Sequence, residues 1–98
     1  MTFEIHIYLG TVCITEKSSY KYPVGEKHAF LFYLKEDENS EYNQFKAEEI
    51  ITNLGFNEIE FSKVGRLSPD KVGVGDKKKH FDNAVKSGST LVLYTDPI

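Results

Sequence analysis

The most apolar stretch of the chain is HAFLFYLK, which begins at position 28. Its apolar side chains fall on both parities, with Phe30, Phe32 and Leu34 on one and Ala29, Leu31 and Tyr33 on the other. Because successive side chains of a strand point to opposite faces of the sheet, this pattern predicts a central strand covered on both sides. The helices predicted further along the chain are short, so we expect them to cover only one of the two faces.

Three other stretches have the patterns of strands. Residues 3–15 alternate apolar and polar side chains and change phase at Gly10, which predicts one long strand with a bulge there. A tight turn at Gly10 is the alternative. Residues 58–65 predict a half-buried strand near a sheet edge, and residues 90–95 are again apolar on both parities. A loop, residues 16–27, separates the first two strands.

Two segments have the periodicity of helices. Residues 40–54 carry apolar side chains at spacings of three and four, and Gly55 follows where a helix typically ends. We expect this apolar stripe to be buried, and its members are Phe45, Ala47, Ile50, Ile51 and Leu54. The candidate N-caps of this helix are Asp37, Asn39 and Ser40. A second helix is predicted over residues 77–87 after Asp76, and its inward side chains are Phe81, Ala84 and Val85. One helical turn is also expected at 68–70.

The predicted order of elements is therefore β-β-α-β-α-β. This order indicates an α+β fold, a two-layer sandwich in which a four-stranded sheet carries both helices on one face. With 98 residues the chain is large enough for one hydrophobic core and too small for two. We expect a single domain over residues 1–98.

Four segments of the chain support a resemblance to other proteins: HAFLFYLK, AEEII, FSKVGRLSPDKV and DNAVKSGSTLVLYTDP. Over residues 27–98 they resemble small uncharacterised bacterial proteins, including some that are encoded by mobile integron gene cassettes. The resemblance implies an α+β fold and a bacterial source. It carries no catalytic residues over to this chain.

Composition and charge narrow the classes of partner. A formal net charge of −3 and a pI of about 5.6 argue against nucleic-acid binding, which usually requires a basic surface. Cys13 is the only cysteine and cannot form a disulfide within the chain, which fits a reducing compartment. No stretch approaches the roughly 18 apolar residues of a membrane span, and residues 1–10 do not resemble a signal peptide. We therefore expect a cytoplasmic protein with no membrane association.

The candidate chemical residues lack the spacing of known motifs. The histidines occur without an HxH, HxxxH or CxxC pattern, so we expect no metal site and no cofactor. Cys13 is expected to be a buried, unreactive thiol. Lysines at the start of the second helix oppose the helix dipole, and an anion there would gain both backbone amides and positive charge. These lysines are Lys77, Lys78 and Lys79, and a solvated basic turn is the alternative.

The remaining signal is the sheet face that the helices leave open. The side chains expected toward the helices are Phe3, Ile5, Phe30, Phe32 and Leu34. The predicted interface on the other face then consists of His6, Tyr8, Leu31, Tyr33 and either Tyr94 or Val92. An apolar patch of this size is larger than monomers usually expose. It could be covered by the loop with Tyr20 and Tyr22, by a second copy, or by a ligand or another protein, and a homodimer is the commonest assembly.

Two functional hypotheses arise from these patterns. The first is a non-enzymatic binding module, homodimeric through its open sheet face, within which an inhibitor or immunity-type protein is one form. The second is a small-molecule-binding protein or enzyme with a tyrosine- and histidine-lined pocket between protomers. Charge is also unevenly distributed, because residues 36–60 hold eight acids and one lysine, whereas residues 61–80 hold six basic residues and two acids. Such asymmetry can steer a charged partner into register.

Overall fold

The computed structural model describes residues 3–18, 22–67 and 76–97. In chain order its elements are β1 (Phe3–Ile14), β2 (Lys27–Asp37), α1 (Gln44–Asn53), β3 (Phe56–Leu67), α2 (Asp76–Ser87) and β4 (Ser89–Pro97). The predicted β-β-α-β-α-β order and the α+β class are confirmed. The helical turn expected at 68–70 lies outside the described residues.

All strand pairs in the sheet are antiparallel, and the strand order is β3-β1-β2-β4. The apolar strand β2 is central, as its two-sided pattern predicted. β1 is one continuous strand that pairs with β2 without a register shift from Phe3 to Cys13, so the single long strand is confirmed and the bulge predicted within β1 at Gly10 is wrong. The register between β1 and β3 does shift, at Leu9/Gly10 and at Thr11/Cys13, but the extra residues lie on β3. A Cβ atom at Gly10 would lie 1.8 Å from the carbonyl oxygen of Glu60, and only glycine allows the two backbones to approach this closely.

The two helices pack on opposite faces of the sheet, so the prediction that both lie on one face is wrong. Ala47 of α1 belongs to a core cluster with Phe30 and Phe32 of β2. Phe81 of α2 belongs to a second cluster with Tyr33. Because even and odd residues of β2 point to opposite faces, its double apolar pattern is satisfied by one helix on each side.

Helix α1 begins four residues later than predicted. Its N-cap is Asn43, whose side-chain oxygen accepts a hydrogen bond from the backbone N–H of Lys46 at 3.0 Å. Gly55, with φ +99°, follows the end of the helix as predicted. No helix in the described part of the chain is long and apolar enough to cross a membrane.

The expected burial of Phe45 is wrong, since its side chain is 86% exposed. The inward side of α1 is formed by Ala47 and Ile51, which are both fully buried. Phe45 precedes Ala47 by two positions, which corresponds to about 200° around a helix. Packing Ala47 against the sheet therefore directs Phe45 into solvent.

Candidate functional site

The residues predicted on an open sheet face do not form one surface. His6 and Tyr8 are 0% exposed and lie on the side of α1, whereas Tyr33 is 2% exposed and packs under α2. Leu31 is half-buried against the α2 cluster, and only Tyr94 is well exposed, at 45%. The prediction that one sheet face is left open is thus wrong, because each face of the sheet carries a helix.

In the lysine run predicted as an anion site, the side chains that the structure describes are not arranged to hold an anion. Lys78 pairs with Asp82 of the same helix at 2.9 Å, and both side chains are exposed. Lys79 is also exposed, and the side chain of Lys77 lies outside the described residues. The arrangement is typical of a solvated helix surface.

The most connected polar cluster surrounds Glu4 on β1. One carboxylate oxygen of Glu4 lies 2.6 Å from Nε2 of His6 and 3.3 Å from Nη1 of Arg66. The other accepts a hydrogen bond from the backbone N–H of Asn39 at 2.9 Å. Antiparallel pairing of β1 with β3 places Arg66 opposite His6. The cluster therefore joins two strands to the segment that leads into α1.

The hydrogen bonds that Glu4 accepts favour the ionised form of its carboxyl group. The bond from the Asn39 amide lowers the pKa of Glu4, and although burial opposes this change, His6 and Arg66 lower the pKa further. The ionised carboxylate can only accept, so Nε2 of His6 donates. Nδ1 of His6 is the one buried side-chain nitrogen or oxygen without a hydrogen-bond partner in the part of the chain that is described.

Tyr42 covers the imidazole of His6. The two rings are 4.9 Å apart in an edge-on arrangement, and the guanidinium of Arg66 lies 4.9 Å from the centre of the Tyr42 ring. Next to them, the hydroxyl of Tyr8 accepts a hydrogen bond from the backbone N–H of Asn43 at 2.9 Å. A carboxylate–imidazole pair is a base in many enzymes, but it must reach a substrate to act. His6 is fully buried, and the cluster instead holds the start of α1 against the sheet.

His28 makes a similar connection at the other end of the sheet. Its Nδ1 lies 2.8 Å from the carbonyl oxygen of Tyr94 and its Nε2 lies 3.0 Å from a carboxylate oxygen of Glu26. The ring of Tyr22 stacks on it at 4.3 Å. His6 pairs with Leu34, six residues along β2 from His28, so the two histidines are about 20 Å apart. Within the described ranges, no three His, Cys, Asp or Glu side chains are placed to hold a metal ion.

Sequence reasoning missed both of these histidine contacts, although a signal for them exists. Glu4 precedes His6 by two positions, and Glu26 precedes His28 by two positions. Side chains two apart on an extended chain lie on the same face, so each glutamate can reach its histidine. The contribution of Arg66 has no such local signal, because it depends on the register between β1 and β3.

Cys13 is a buried thiol at the edge of an open cavity. Its side chain is 8% exposed, and burial, reinforced by Glu58, raises the pKa of the thiol. A thiol in such surroundings is a poor nucleophile. The cavity has a volume of about 570 Å³ and lies between the end of β1 and the start of β3.

The side of α1 that points away from the sheet is acidic with a phenylalanine in it. We call it the α1 outer face, and it consists of Phe45, Glu48, Glu49, Thr52 and Asn53, which line a shallow cavity of about 360 Å³. All five side chains are exposed. Lys46 of the same helix does not neutralise this face, since it pairs with Glu36 at 2.9 Å.

A larger groove adjoins the α1 outer face. We call it the α1–β3 groove; its volume is about 570 Å³, and its lining residues are Gly10, Thr11, Gln44, Glu48, Ile59, Glu60, Phe61 and Ser62. Glu48 lines both the groove and the α1 outer face. The two features therefore form one continuous surface on one side of the molecule.

Comparisons with known proteins add no further site residues. No protein-family model, no curated protein and no solved structure matches the chain. The function of the chain therefore has to be inferred from the exposure, geometry and charge of the α1 outer face and the α1–β3 groove.

Proposed function

We propose that the chain is a non-enzymatic binding module that contacts a basic partner protein through the α1 outer face. The observation that carries the proposal is Phe45, whose aromatic ring is 86% exposed. Burying such a ring in an interface gains about 1.5–3 kcal/mol, which the chain alone does not obtain. Aromatic anchors of this kind dominate the energy of many interfaces.

The charges around Phe45 select the partner. Glu48 and Glu49 are exposed beside the ring, and none of the described residues that line the cavity they share with it is a lysine or arginine. A complementary partner carries an apolar pocket with lysine or arginine residues at its rim. We propose an inhibitor or immunity-type protein as one form of such a module. We propose a bacterial cytoplasmic setting for it on the basis of the sequence resemblance and the single cysteine.

A second copy of the chain fits the α1 outer face poorly. In a two-fold symmetric dimer the same patch meets itself, so Glu48 and Glu49 would face their own copies. Like charges opposed across an interface are unfavourable. The sheet-face dimer and the pocket between protomers both required His6, Tyr8 and Tyr33 to be accessible, and all three are buried within one chain. We therefore favour a different protein as the partner.

The experiment compares proteins captured from a bacterial lysate by the immobilised wild type and by Phe45→Ala. The matched control is Val24→Ala, because Val24 is an exposed apolar residue at 63% that lies outside the α1 outer face. We expect a basic protein to be retained by the wild type and by Val24→Ala, and its purified form to bind Phe45→Ala about 30-fold more weakly. If the partner bound Phe45→Ala as tightly as Val24→Ala, the proposal would be contradicted. A self-association of the wild type that Phe45→Ala abolishes would identify a second copy as the partner instead.

A further inference from the structure

The imidazole of His28 lies between two hydrogen-bond acceptors from different parts of the chain. Its Nδ1 lies 2.8 Å from the carbonyl oxygen of Tyr94 on β4, and its Nε2 lies 3.0 Å from a carboxylate oxygen of Glu26 in the loop before β2. A carbonyl oxygen and an ionised carboxylate can only accept hydrogen bonds, so each ring nitrogen needs a proton to make its contact. A ring that carries both protons is the imidazolium cation.

His6 offers a comparison within the same molecule. Only its Nε2 faces an acceptor, the Glu4 carboxylate at 2.6 Å, and its Nδ1 has no hydrogen-bond partner among the described residues. Both rings are 0% exposed, so bulk water does not replace a missing partner at either of them. One ring proton is therefore sufficient for His6, whereas His28 requires two.

The Tyr94 carbonyl is within reach of His28 because the pairing of β2 with β4 is irregular at this point. His28 pairs with Pro97 and Phe30 pairs with Leu93, so one residue of β2 lies opposite three residues of β4. Backbone carbonyls that leave a regular ladder need another donor. The side chain of His28 supplies that donor and joins the end of β4 to the loop before β2.

The surroundings of the ring favour the cation. Among the described residues, the titratable side chains in contact with it are those of Glu26 and Tyr22, whose ring stacks on the imidazole at 4.3 Å. A carboxylate and an aromatic face both attract a cation. Lys27, the next residue in the chain, points to the opposite face of the sheet. The other elements on this side present Val12 from β1 and Ala47 and Ile51 from α1, while the one charged residue of β4, Asp96, is exposed.

We infer that Glu26, His28 and Tyr94 form a pH switch, the His28 switch, that holds the loop before β2 to the end of β4 only while the His28 ring is doubly protonated. When the ring gives one proton to solvent, only one of its nitrogens can donate. The Tyr94 carbonyl is part of the strand backbone, whereas the Glu26 side chain is 33% exposed and can turn into water. The neutral ring therefore keeps the contact with Tyr94 and loses the contact with Glu26.

The first measurement counts the protons on each ring. NMR of the full chain with isotope-labelled histidine distinguishes a ring nitrogen that carries a proton from one that does not. An unperturbed histidine is half protonated at about pH 6.5. At pH 7 we expect two protons on the ring of His28 and one on the ring of His6. A single proton on His28 at pH 7 would overturn the inference, because the Glu26 contact would then not depend on the imidazolium.

The second measurement follows the loop by amide hydrogen exchange. The backbone N–H of Gly25 donates to the carbonyl oxygen of Ile14 at 2.9 Å, and that of Glu26 donates to the carbonyl oxygen of Pro23 at 3.2 Å. Losing a hydrogen bond to a charged group should lower the protection of these two amides by about tenfold or more. We expect this fall between about pH 6 and about pH 9, after correction for the intrinsic rise of exchange with pH.

The variant Glu26→Gln removes the need for the second proton. Its side-chain amide can donate to the unprotonated Nε2 of His28 while Nδ1 donates to Tyr94, so a neutral ring keeps both contacts. We therefore expect the protection of Gly25 in this variant to stay constant over the same pH range. The matched control is Glu16→Gln, which alters an exposed glutamate of the same loop and should behave as the wild type.

Each result of the exchange experiment decides the inference. Constant protection in the wild type, or an equal fall in the wild type and in Glu26→Gln, would show that the ring proton does not hold the loop. Loss of the pH dependence in Glu16→Gln would assign it to a different group and overturn the inference as well. If Glu26→Gln lacks the dispersed amide signals of a folded chain, the proton count on His28 in the wild type decides instead.

Discussion

Replacing Glu4 by glutamine tests the polar cluster under α1. The carboxylate of Glu4 contacts His6 at 2.6 Å, the backbone amide of Asn39 at 2.9 Å and Arg66 at 3.3 Å, and its side chain is 9% exposed. Glutamine keeps one oxygen, which can still accept from Asn39, but it presents an uncharged amide group to His6 and Arg66. A hydrogen bond to a charged group contributes about 1.5–3 kcal/mol. The Arg66 contact adds little, because that side chain is 39% exposed.

We therefore expect Glu4→Gln to lower the free energy of unfolding by about 2 kcal/mol at pH 7. Urea unfolding followed by circular dichroism measures this difference, and the slope with urea should stay the same. The control is Glu49→Gln, an exposed glutamate outside the cluster, for which we expect a change within about 0.5 kcal/mol.

The pH dependence of the difference has a definite sign. The pKa of Glu4 is lowered in the folded state from its ordinary value of 4.5, chiefly by the hydrogen bond from Asn39. Between the two pKa values the unfolded state binds more protons than the folded state, so the stability falls as the pH falls. The difference between wild type and Glu4→Gln should be complete above pH 4.5 and should shrink as the pH drops below it. A difference that stays constant into acid, or one under about 0.5 kcal/mol at pH 7, would refute this account of the cluster.

Four further substitutions test the packing. Phe32→Ala should lower the free energy of unfolding by about 3–5 kcal/mol, because the Phe32 ring is 0% exposed. Phe45→Ala should change it by less than about 0.5 kcal/mol, because the Phe45 ring is 86% exposed. Similar urea midpoints for the two variants would contradict the placement of α1. Gly10→Ala should destabilise the chain by about 1–3 kcal/mol or more, because its Cβ would lie 1.8 Å from the carbonyl oxygen of Glu60; a wild-type thermal midpoint would show that the two strands are further apart. Tyr33→Asp should unfold the chain by burying a carboxylate under α2, and a folded circular dichroism spectrum would mean that Tyr33 is accessible.

Local patterns in the sequence were sufficient to predict the elements and their order. The period-two pattern of β1 and the two-sided apolar pattern of β2 both correspond to features of the sheet. The change of apolar parity along β1 does not mark a bulge, because Ile5 packs under α2 on one face and Val12 packs under α1 on the other. These features depend on the alternation of side chains along one strand, which a single stretch of sequence contains. Helix α2 was also predicted to within one residue, because Asp76 and Gly88 are local signals for its two ends.

The positions of the helices over the sheet were not predictable in this way. The pattern of β2 shows that both of its faces are covered, but it does not specify which segment covers each. The start of α1 also depended on distant contacts, because three residues before Asn43 were acceptable N-caps by type. Tyr8 and Glu4 accept hydrogen bonds from the backbone before α1 and hold that segment, and these bonds exist only once the segment lies on the sheet.

The contacts of the candidate site were also only partly predictable from the sequence. A glutamate two positions before each of His6 and His28 was visible in the sequence, whereas the approach of Arg66 required the register of β3 on β1. The exposure of Phe45 depended on which side of α1 meets the core, and Ala47 and Ile51 decide that side by packing into the core cluster on the sheet. Spacing along the chain determines which residues share a face. Only tertiary packing determines whether that face is buried or meets a partner.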